Sequence, residues 1–266
     1  MMTDGSYRQD PLTPEERDEF EDDLLSFCDR ELDLLGDIQG MDVLYAGGSS
    51  LLWLEGLSQR TGEEGTVTAL DLNRERVEVA REDLEHADLR APVRLVAGSV
   101  FELPFDPKSF HLVYSAGLFH ELDVAERSVE EALLALASVA RPGGRVATED
   151  FVDAVPAAQL EDESLDADLA RLCFGRELFG IGPPGRLIAM HEEGLSDVRW
   201  RVSGPQEIRH LGKVVLAEEE PTSFATLPPG SAECLRVRRE ALRGRVRREG
   251  YTRPATLYVE GRVRGG

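Results

Sequence analysis

The sequence predicts an α/β protein built on a doubly wound, mostly parallel sheet. Three observations carry this. Residues 41–72 read as a short buried strand, a glycine turn, a helix and a second strand closing on Asp71, the order of an opening βαβ unit in a nucleotide-type domain. Three more apolar segments follow: PVRLVA at 92–97, FHLVYS at 110–115 and RVATEDF at 145–151. The stretches between several of these strands have helical periodicity, and strands joined by such helices pair in parallel through right-handed crossovers.

In the opening unit, MDVLYAGGSS precedes the apolar run LLWLEGL and then TVTALDLN. Gly47 and Gly48 lack a Cβ, so the backbone can turn sharply and approach a ligand. Ser49 and Ser50 are expected to cap the next helix, whose free N–H groups and positive dipole end face whatever sits above the turn. Asp71 lies 24 residues after Gly47, where an acidic side chain accepts hydrogen bonds from ribose hydroxyls. The unit therefore predicts an adenosine-type cofactor.

Bulk properties set limits. A chain of 266 residues with 41% hydrophobic and 30% charged content can bury a full core, and one elaborated domain is expected. A net charge of −21 argues against broad nucleic-acid binding, because a phosphate backbone would be repelled over most of the surface. Cys28, Cys173 and Cys234 are widely spaced and odd in number, which suggests neither a disulfide framework nor a metal pair. No stretch reaches the apolar length of a membrane span. The expected location is a reducing cytoplasm, and a homodimer is compatible with this reading.

Residues 1–12 read as a loose leader, in which Tyr7 is either a substrate contact or part of a disordered tail. Thr13, Pro14 and Glu16 form a helix start, and Phe20, Leu24, Phe27, Leu32 and Leu35 give helical spacing up to Gly36. That helix is expected either to roof the cofactor cleft or to pack on the sheet edge. Asn73 caps a helix to about His86, with Val77, Ala80 and Leu84 on one face. Gly98, Ser99 and Val100 turn at the carboxyl end of the third strand, as Ala116 and Gly117 do after the fourth, on the side where open sheets place ligands. A helix is expected over 123–140, with Glu126 in a capping box and Val129, Leu133, Leu136 and Ala140 buried, stopped by Arg141-Pro142-Gly143-Gly144.

The series VLYAGG, VTALDLN, RLVAGSVFELPF, FHLVYSAGLFHEL and ARPGGRVATEDF resembles the class I S-adenosylmethionine-dependent methyltransferases, in particular the small-molecule group that includes ubiquinone/menaquinone-pathway enzymes. The likeness covers roughly residues 40–200 and lies in the order of the segments. It implies a seven-stranded, Rossmann-like methyltransferase fold with S-adenosylmethionine as cofactor and a small organic acceptor. It also implies that Gly47 and Gly48 approach the methionine part and that Asp71 binds the ribose. Leu72 would lie on the adenine, Ser99 and Val100 at the adenine edge, and Ser115 and Ala116 near the sulfonium.

Three departures stand out. Tyr45 occupies the position where the family carries an acid, and Ser49 the second glycine position; Ser99 replaces the aspartate that commonly receives the adenine amino group. Charge-assisted hydrogen bonds worth about 1.5 to 3 kcal/mol each are thereby missing or weakened. A degenerate, ligand-binding member without turnover is the alternative. A nicotinamide dehydrogenase would need G-x-G-x-x-G, and AGGSSLL has no third glycine.

Methyl transfer is an in-line displacement at a carbon already activated by the sulfonium, so proximity, alignment and exclusion of water carry much of the catalysis. A general base is needed only if the acceptor must lose a proton. His120, in LFHEL just past the fourth strand, is the candidate, with a packed, backbone-bonded histidine as the alternative. Glu121 and Asp123 read as a solvated helix start.

Domain divisions follow: a leader and cap helix at 1–40, a cofactor-binding core at 41–204, an insertion at 205–254 and a closing strand at 255–266. Residues 153–182 open with an acidic amphipathic helix, after which Phe174, Phe179 and Ile181 are candidates for an apolar acceptor site or for core. PGRLIAMHEEGL is expected as the helix before the sixth strand DVRWRVS, with Gly194 as its stop and His191 and Glu192 on its surface. Of two segments fit to be an antiparallel seventh strand, 211–218 and 255–263, the second alternates better. A helix over about 232–249 carries seven arginines. It reads either as a dock for an anionic substrate, carrier protein or RNA, or as a solvated helix neutralising the acidic body, the preferred reading. Loss of activity on an acidic acceptor after charge reversal at Arg238 and Arg239 would favour the dock.

Overall fold

The first helix starts as its sequence foretells. In the computed structural model, which describes residues 11–151, 156–180, 182–218 and 220–265, Thr13 Oγ1 accepts from Glu16 N at 3.3 Å and Glu16 Oε2 accepts from Thr13 N at 3.1 Å. This capping box opens α1 (Pro14–Asp33). There follow β1 (Asp42–Ala46), α2 (Leu51–Thr61), β2 (Thr66–Asp71), α3 (Arg74–Leu84), β3 (Val93–Ala97), β4 (Phe110–Ala116), α4 (Val129–Val139) and β5 (Ala140–Phe151). The chain continues through α5 (Ala157–Phe174), α6 (Pro184–Gly194), β6 (Ser196–Val202), α7 (Leu211–Ala217), α8 (Pro229–Glu249) and β7 (Thr256–Arg262). Tyr7 and Ile181 lie outside the described residues.

The sheet order is β3-β2-β1-β4-β5-β7-β6. β1 to β5 pair in parallel, and β7 runs antiparallel between β5 and β6. Both the seven strands and the choice of 255–263 as the closing strand hold. The competing segment at 211–218 is α7, because Leu211, Val214 and Val215 are buried together at helical spacing.

Period-2 alternation sorts the sheet into two apolar faces. From β1, Val43 and Tyr45 join Cys28 and Leu32 of α1 and Leu54 and Leu57 of α2, while Leu44 and Ala46 join Val129, Leu133 and Leu136 of α4 and Leu187 and Met190 of α6. Each fully buried leucine contributes about 1.5 to 3 kcal/mol of transfer free energy. A third core lies among α5, α7 and α8, through Leu165, Val215, Phe224, Leu235 and Leu242. α1 is no free lid: its inner face packs against α2, and its outer face pairs with the 209–213 segment through Asp23–Arg209 at 2.9 Å and a Glu16–Lys213 contact.

The arginine helix sides with neutralisation. Arg238 pairs with Glu161 at 2.8 Å and Asp168 at 2.6 Å on α5, and Arg236 with Glu220 at 2.7 Å.

Three expectations need correction. The helix expected from Asp123 begins at Val129, capped by Ser128 Oγ accepting from Glu131 N at 3.1 Å. Asp123 instead accepts from Ala125 N and Glu177 N, at 2.9 and 3.2 Å, so its carboxylate competes with the helix for backbone donors. Neither Ser49 nor Ser50 caps α2; Ser50 is at the cap position with no side-chain hydrogen bond. His191 is fully buried, not on the surface. Its Nδ1 lies 2.8 Å from Leu187 O and its Nε2 3.1 Å from Thr148 Oγ1, and burial holds its pKa down at about 4.

Candidate functional site

The carboxyl ends of β1, β2, β4 and β5 form one rim. Gly47, at φ +91°, reverses the chain after β1. Its N–H and that of Gly48 both donate to Leu70 O, at 2.8 and 3.1 Å, so the two turn amides are already spent and are not free to cradle a pyrophosphate. That weighs against the dinucleotide alternative. A Cβ on Gly47 would stand 2.6 Å from Leu118 Cδ1, and one on Gly48 2.8 Å from the Tyr45 hydroxyl.

Ser49 Oγ donates to Asp71 Oδ2 at 2.8 Å, and Asn73 N donates to Asp71 Oδ1 at 2.8 Å. Each carboxylate oxygen keeps a further lone pair, so the group is oriented without being used up. It can accept two more hydrogen bonds from a vicinal diol. Beside it Leu72 is 72% exposed and offers an apolar wall.

Tyr45, in the position of the missing acid, is buried and stacked on Tyr114 with ring centroids 5.9 Å apart. Burial raises its pKa, so the hydroxyl stays neutral. It makes no hydrogen bond with the described residues and lies beneath Gly48. The other predicted positions differ in access. Ser99 Oγ accepts from Phe101 N at 3.2 Å, Val100 joins the core under α4, and Ser115 is buried with its hydroxyl 3.4 Å from Thr148 Oγ1. Ala116 is partly buried at the end of β4.

His120 sits on a short 3-10 turn, Phe119–Glu121. Its Nδ1 lies 2.7 Å from Asp150 Oδ1, and Asp150 Oδ2 accepts from Phe119 N at 2.8 Å and His120 N at 3.2 Å. One carboxylate thus fixes both ring and backbone, which leaves Nε2, 3.9 Å from Glu121 Oε1 and outside hydrogen-bond reach, as the acceptor nitrogen in the neutral tautomer. Burial works against the imidazolium, but the charge and hydrogen bond of Asp150 outweigh it, and the pKa is raised. Gly117, at φ +64°, lets the ring come close: a Cβ there would be 3.3 Å from His120 Cε1. The backbone-bonded alternative for His120 therefore misses the carboxylate pair.

Sequence reasoning missed Asp150, although two adjacent acids in a buried strand were a signal. It also missed the buried Glu149, whose Oε2 is 3.4 Å from the Tyr114 hydroxyl. Burial, then the nearby Glu31, pushes Glu149 up to about 8. Of the acceptor-site candidates, Phe179 packs against the core under Arg186, with the guanidinium 4.4 Å from its ring centroid, and Phe174 is exposed. The 179–180 backbone runs alongside the His120 turn, with Phe179 N donating to Leu122 O at 2.8 Å and Gly180 N to His120 O at 3.0 Å, while the Phe179 side chain turns to the core. Among the described residues no group of three or more His, Cys, Asp or Glu is arranged to hold a metal, and no helix is long and apolar enough to cross a membrane.

Residues 43–144 match the family described as "Methyltransferase domain". Over 142 residues, 51% of the chain, the sequence is 34% identical to a ubiquinone/menaquinone biosynthesis C-methyltransferase of Idiomarina loihiensis, covering 55% of that protein. The chain spans about half the length of the curated relatives it matches. Among solved structures, the YcgJ protein of Bacillus subtilis superposes with a TM-score of 0.59 at 16% identity, over 91% of this chain and all of that one. A phosphoethanolamine N-methyltransferase of Haemonchus contortus, solved with phosphomonomethylethanolamine and S-adenosylhomocysteine, gives 0.56 at 15% identity, over 91% of this chain and 53% of that one. At these identities the structural likeness is one of fold.

Proposed function

We propose, from the match of residues 43–144 to the methyltransferase-domain family, that the chain is a class I S-adenosylmethionine-dependent methyltransferase and transfers a methyl group from S-adenosylmethionine to a small organic acceptor. The observation that carries the reading is the Asp71 carboxylate, oriented by Ser49 and Asn73 beside an exposed Leu72.

The residues present fit the cofactor, with Tyr45 in place of the family's acid, Ser49 in place of its second glycine and Ser99 in place of an aspartate. Asp71 takes the ribose hydroxyls, Leu72 the adenine face, and Ser99 and Val100 the adenine edge. Gly47, Gly48, Ser115 and Ala116 border the methionine and sulfonium end. The unpartnered Tyr45 hydroxyl under Gly48 stands in for the family's carboxylate, as a neutral acceptor in place of a charged one. When bound, S-adenosylmethionine supplies a methyl carbon already activated by the adjacent sulfonium. With the cofactor bound, the rim residues would position the acceptor's nucleophilic atom beside the methyl group and exclude water. His120, held through Nδ1 by Asp150, takes the acceptor's proton on Nε2 when the nucleophile carries one. Residues 41–204 hold the cofactor, and the 205–254 layer closes the acceptor side. The three free cysteines accord with action in a reducing cytoplasm.

Calorimetry with S-adenosylmethionine and S-adenosylhomocysteine tests the reading. Binding of both is expected; binding of neither would leave a scaffold without turnover.

A further inference from the structure

Arg253 is an unusual cation. Its backbone is clamped by a two-way bridge to Gln206, at 2.9 and 3.2 Å. Its guanidinium lies between two rings, 4.2 Å from the Phe27 centroid and 5.6 Å from that of Phe151. Yet it makes no hydrogen bond or ion pair with any described residue, and its Nε is buried without a partner. Arg145, which is more deeply buried, meets Glu260 at 2.5 Å, whereas Arg253 is partly buried with no such partner among the described residues. Enclosing an unpaired guanidinium even in part is costly unless something completes it.

The nearest acids do not complete it. Glu31 and Glu149 are each 3% exposed and act on Arg253 through space, beyond ion-pair distance. Glu31 Oε2 is itself buried with no partner, and Thr256 Oγ1 reaches its Oε1 only at 3.4 Å. Burial raises both carboxyls, Glu149 to about 8, which weakens them as counter-charges. A planar fork of N–H donors between two aromatic faces makes an oxyanion subsite.

Phe151 joins this subsite to the rim described above. The His120 ring lies beside the same Phe151, with ring centroids 4.7 Å apart and the planes at 43°, so Arg253 and His120 share one aromatic neighbour.

We propose that Arg253, between Phe27 and Phe151, binds an anionic group of the acceptor, a carboxylate or a phosphate, and so selects acid-bearing small molecules as the methylated substrates. This rests on the methyltransferase reading for its function, but the subsite itself is testable without turnover.

The probes are benzoate, phenyl phosphate and uncharged benzamide, titrated calorimetrically with and without S-adenosylhomocysteine. Benzoate or phenyl phosphate is expected to bind at least about tenfold more tightly than benzamide, as one charge-assisted hydrogen bond warrants; which of the two binds better tells carboxylate from phosphate. Arg253→Gln is expected to erase the preference while leaving S-adenosylhomocysteine binding within about twofold. Arg253→Lys, which keeps the charge and loses the fork, is expected to fall between. Equal binding of benzoate, phenyl phosphate and benzamide by the unaltered protein overturns the proposal even if the variants do not fold, and so does a preference that survives Arg253→Gln. Failure of S-adenosylhomocysteine to bind, with the oxyanion preference intact, sinks the methyltransferase reading instead.

Discussion

Ser49 Oγ donates a 2.8 Å hydrogen bond to Asp71 Oδ2, tying the turn after β1 to the end of β2. The residue in the family's second glycine position thus orients the carboxylate expected to take the ribose. Asp71→Ala should weaken S-adenosylhomocysteine binding by about 10- to 100-fold, the worth of charge-assisted hydrogen bonds of about 1.5 to 3 kcal/mol. Ser49→Ala should cost less, roughly 1 kcal/mol, because only orientation is lost. Calorimetry decides; equal effects from the two variants would mean that Ser49 itself contacts the ligand.

His120→Ala should lower turnover more than cofactor affinity, and equal losses in both would count against a catalytic role. Asp150 raises the His120 pKa through its charge and hydrogen bond, against burial. Asp150→Asn removes that charge, so the imidazole should titrate at lower pH. Proton NMR of the His120 ring gives the value directly, and an unchanged titration would refute the assigned cause.

The two turn glycines should respond differently to alanine. Gly47→Ala meets both a positive φ and Leu118 Cδ1 at 2.6 Å, and should cost about 2 to 4 kcal/mol. Gly48→Ala meets only the Tyr45 side chain. Its loss should be partly recovered by Tyr45→Phe, which removes the closest atom. Urea denaturation of the single and double variants measures both, and no recovery in the double variant would place the strain elsewhere.

Stability should fall on the alkaline side. Burial, then the charges of Asp162 and Glu163, raise Asp166 to about 7, and burial raises Glu149 to about 8. Both bind protons more tightly folded than unfolded. The stability they allow is full below the ordinary carboxyl range and is lost as pH rises through those values. His191, lowered to about 4 by burial, has the opposite sign and penalises the acid side. Melting temperature should therefore drop between about pH 4.5 and about pH 8, less steeply below about pH 6.5 where His191 opposes it, with the drop shallower in Asp166→Asn. A flat profile in the unaltered protein would exclude buried acids as its source.

The strand series, the Thr13 capping box, the Asn73 cap, the glycine bend and the carboxylate closing β2 were legible in the linear chain, because each is encoded by neighbours within a few residues: periodicity, a cap three positions from its partner, a turn without Cβ. The sequence by itself determined the fold class and the strand-end rim where Gly47, Gly48 and Asp71 meet. Tertiary packing alone decided the rest. His191 reads as a surface helix residue until α6 docks over β5. Asp123 reads as a helix start until the 177–178 backbone claims its carboxylate. The Asp150–His120 pair and the Phe27–Arg253–Phe151 stack join residues 30 and more than 200 positions apart. Burial and pairing at such separations depend on which surfaces meet across the sheet, and local propensity carries no record of that.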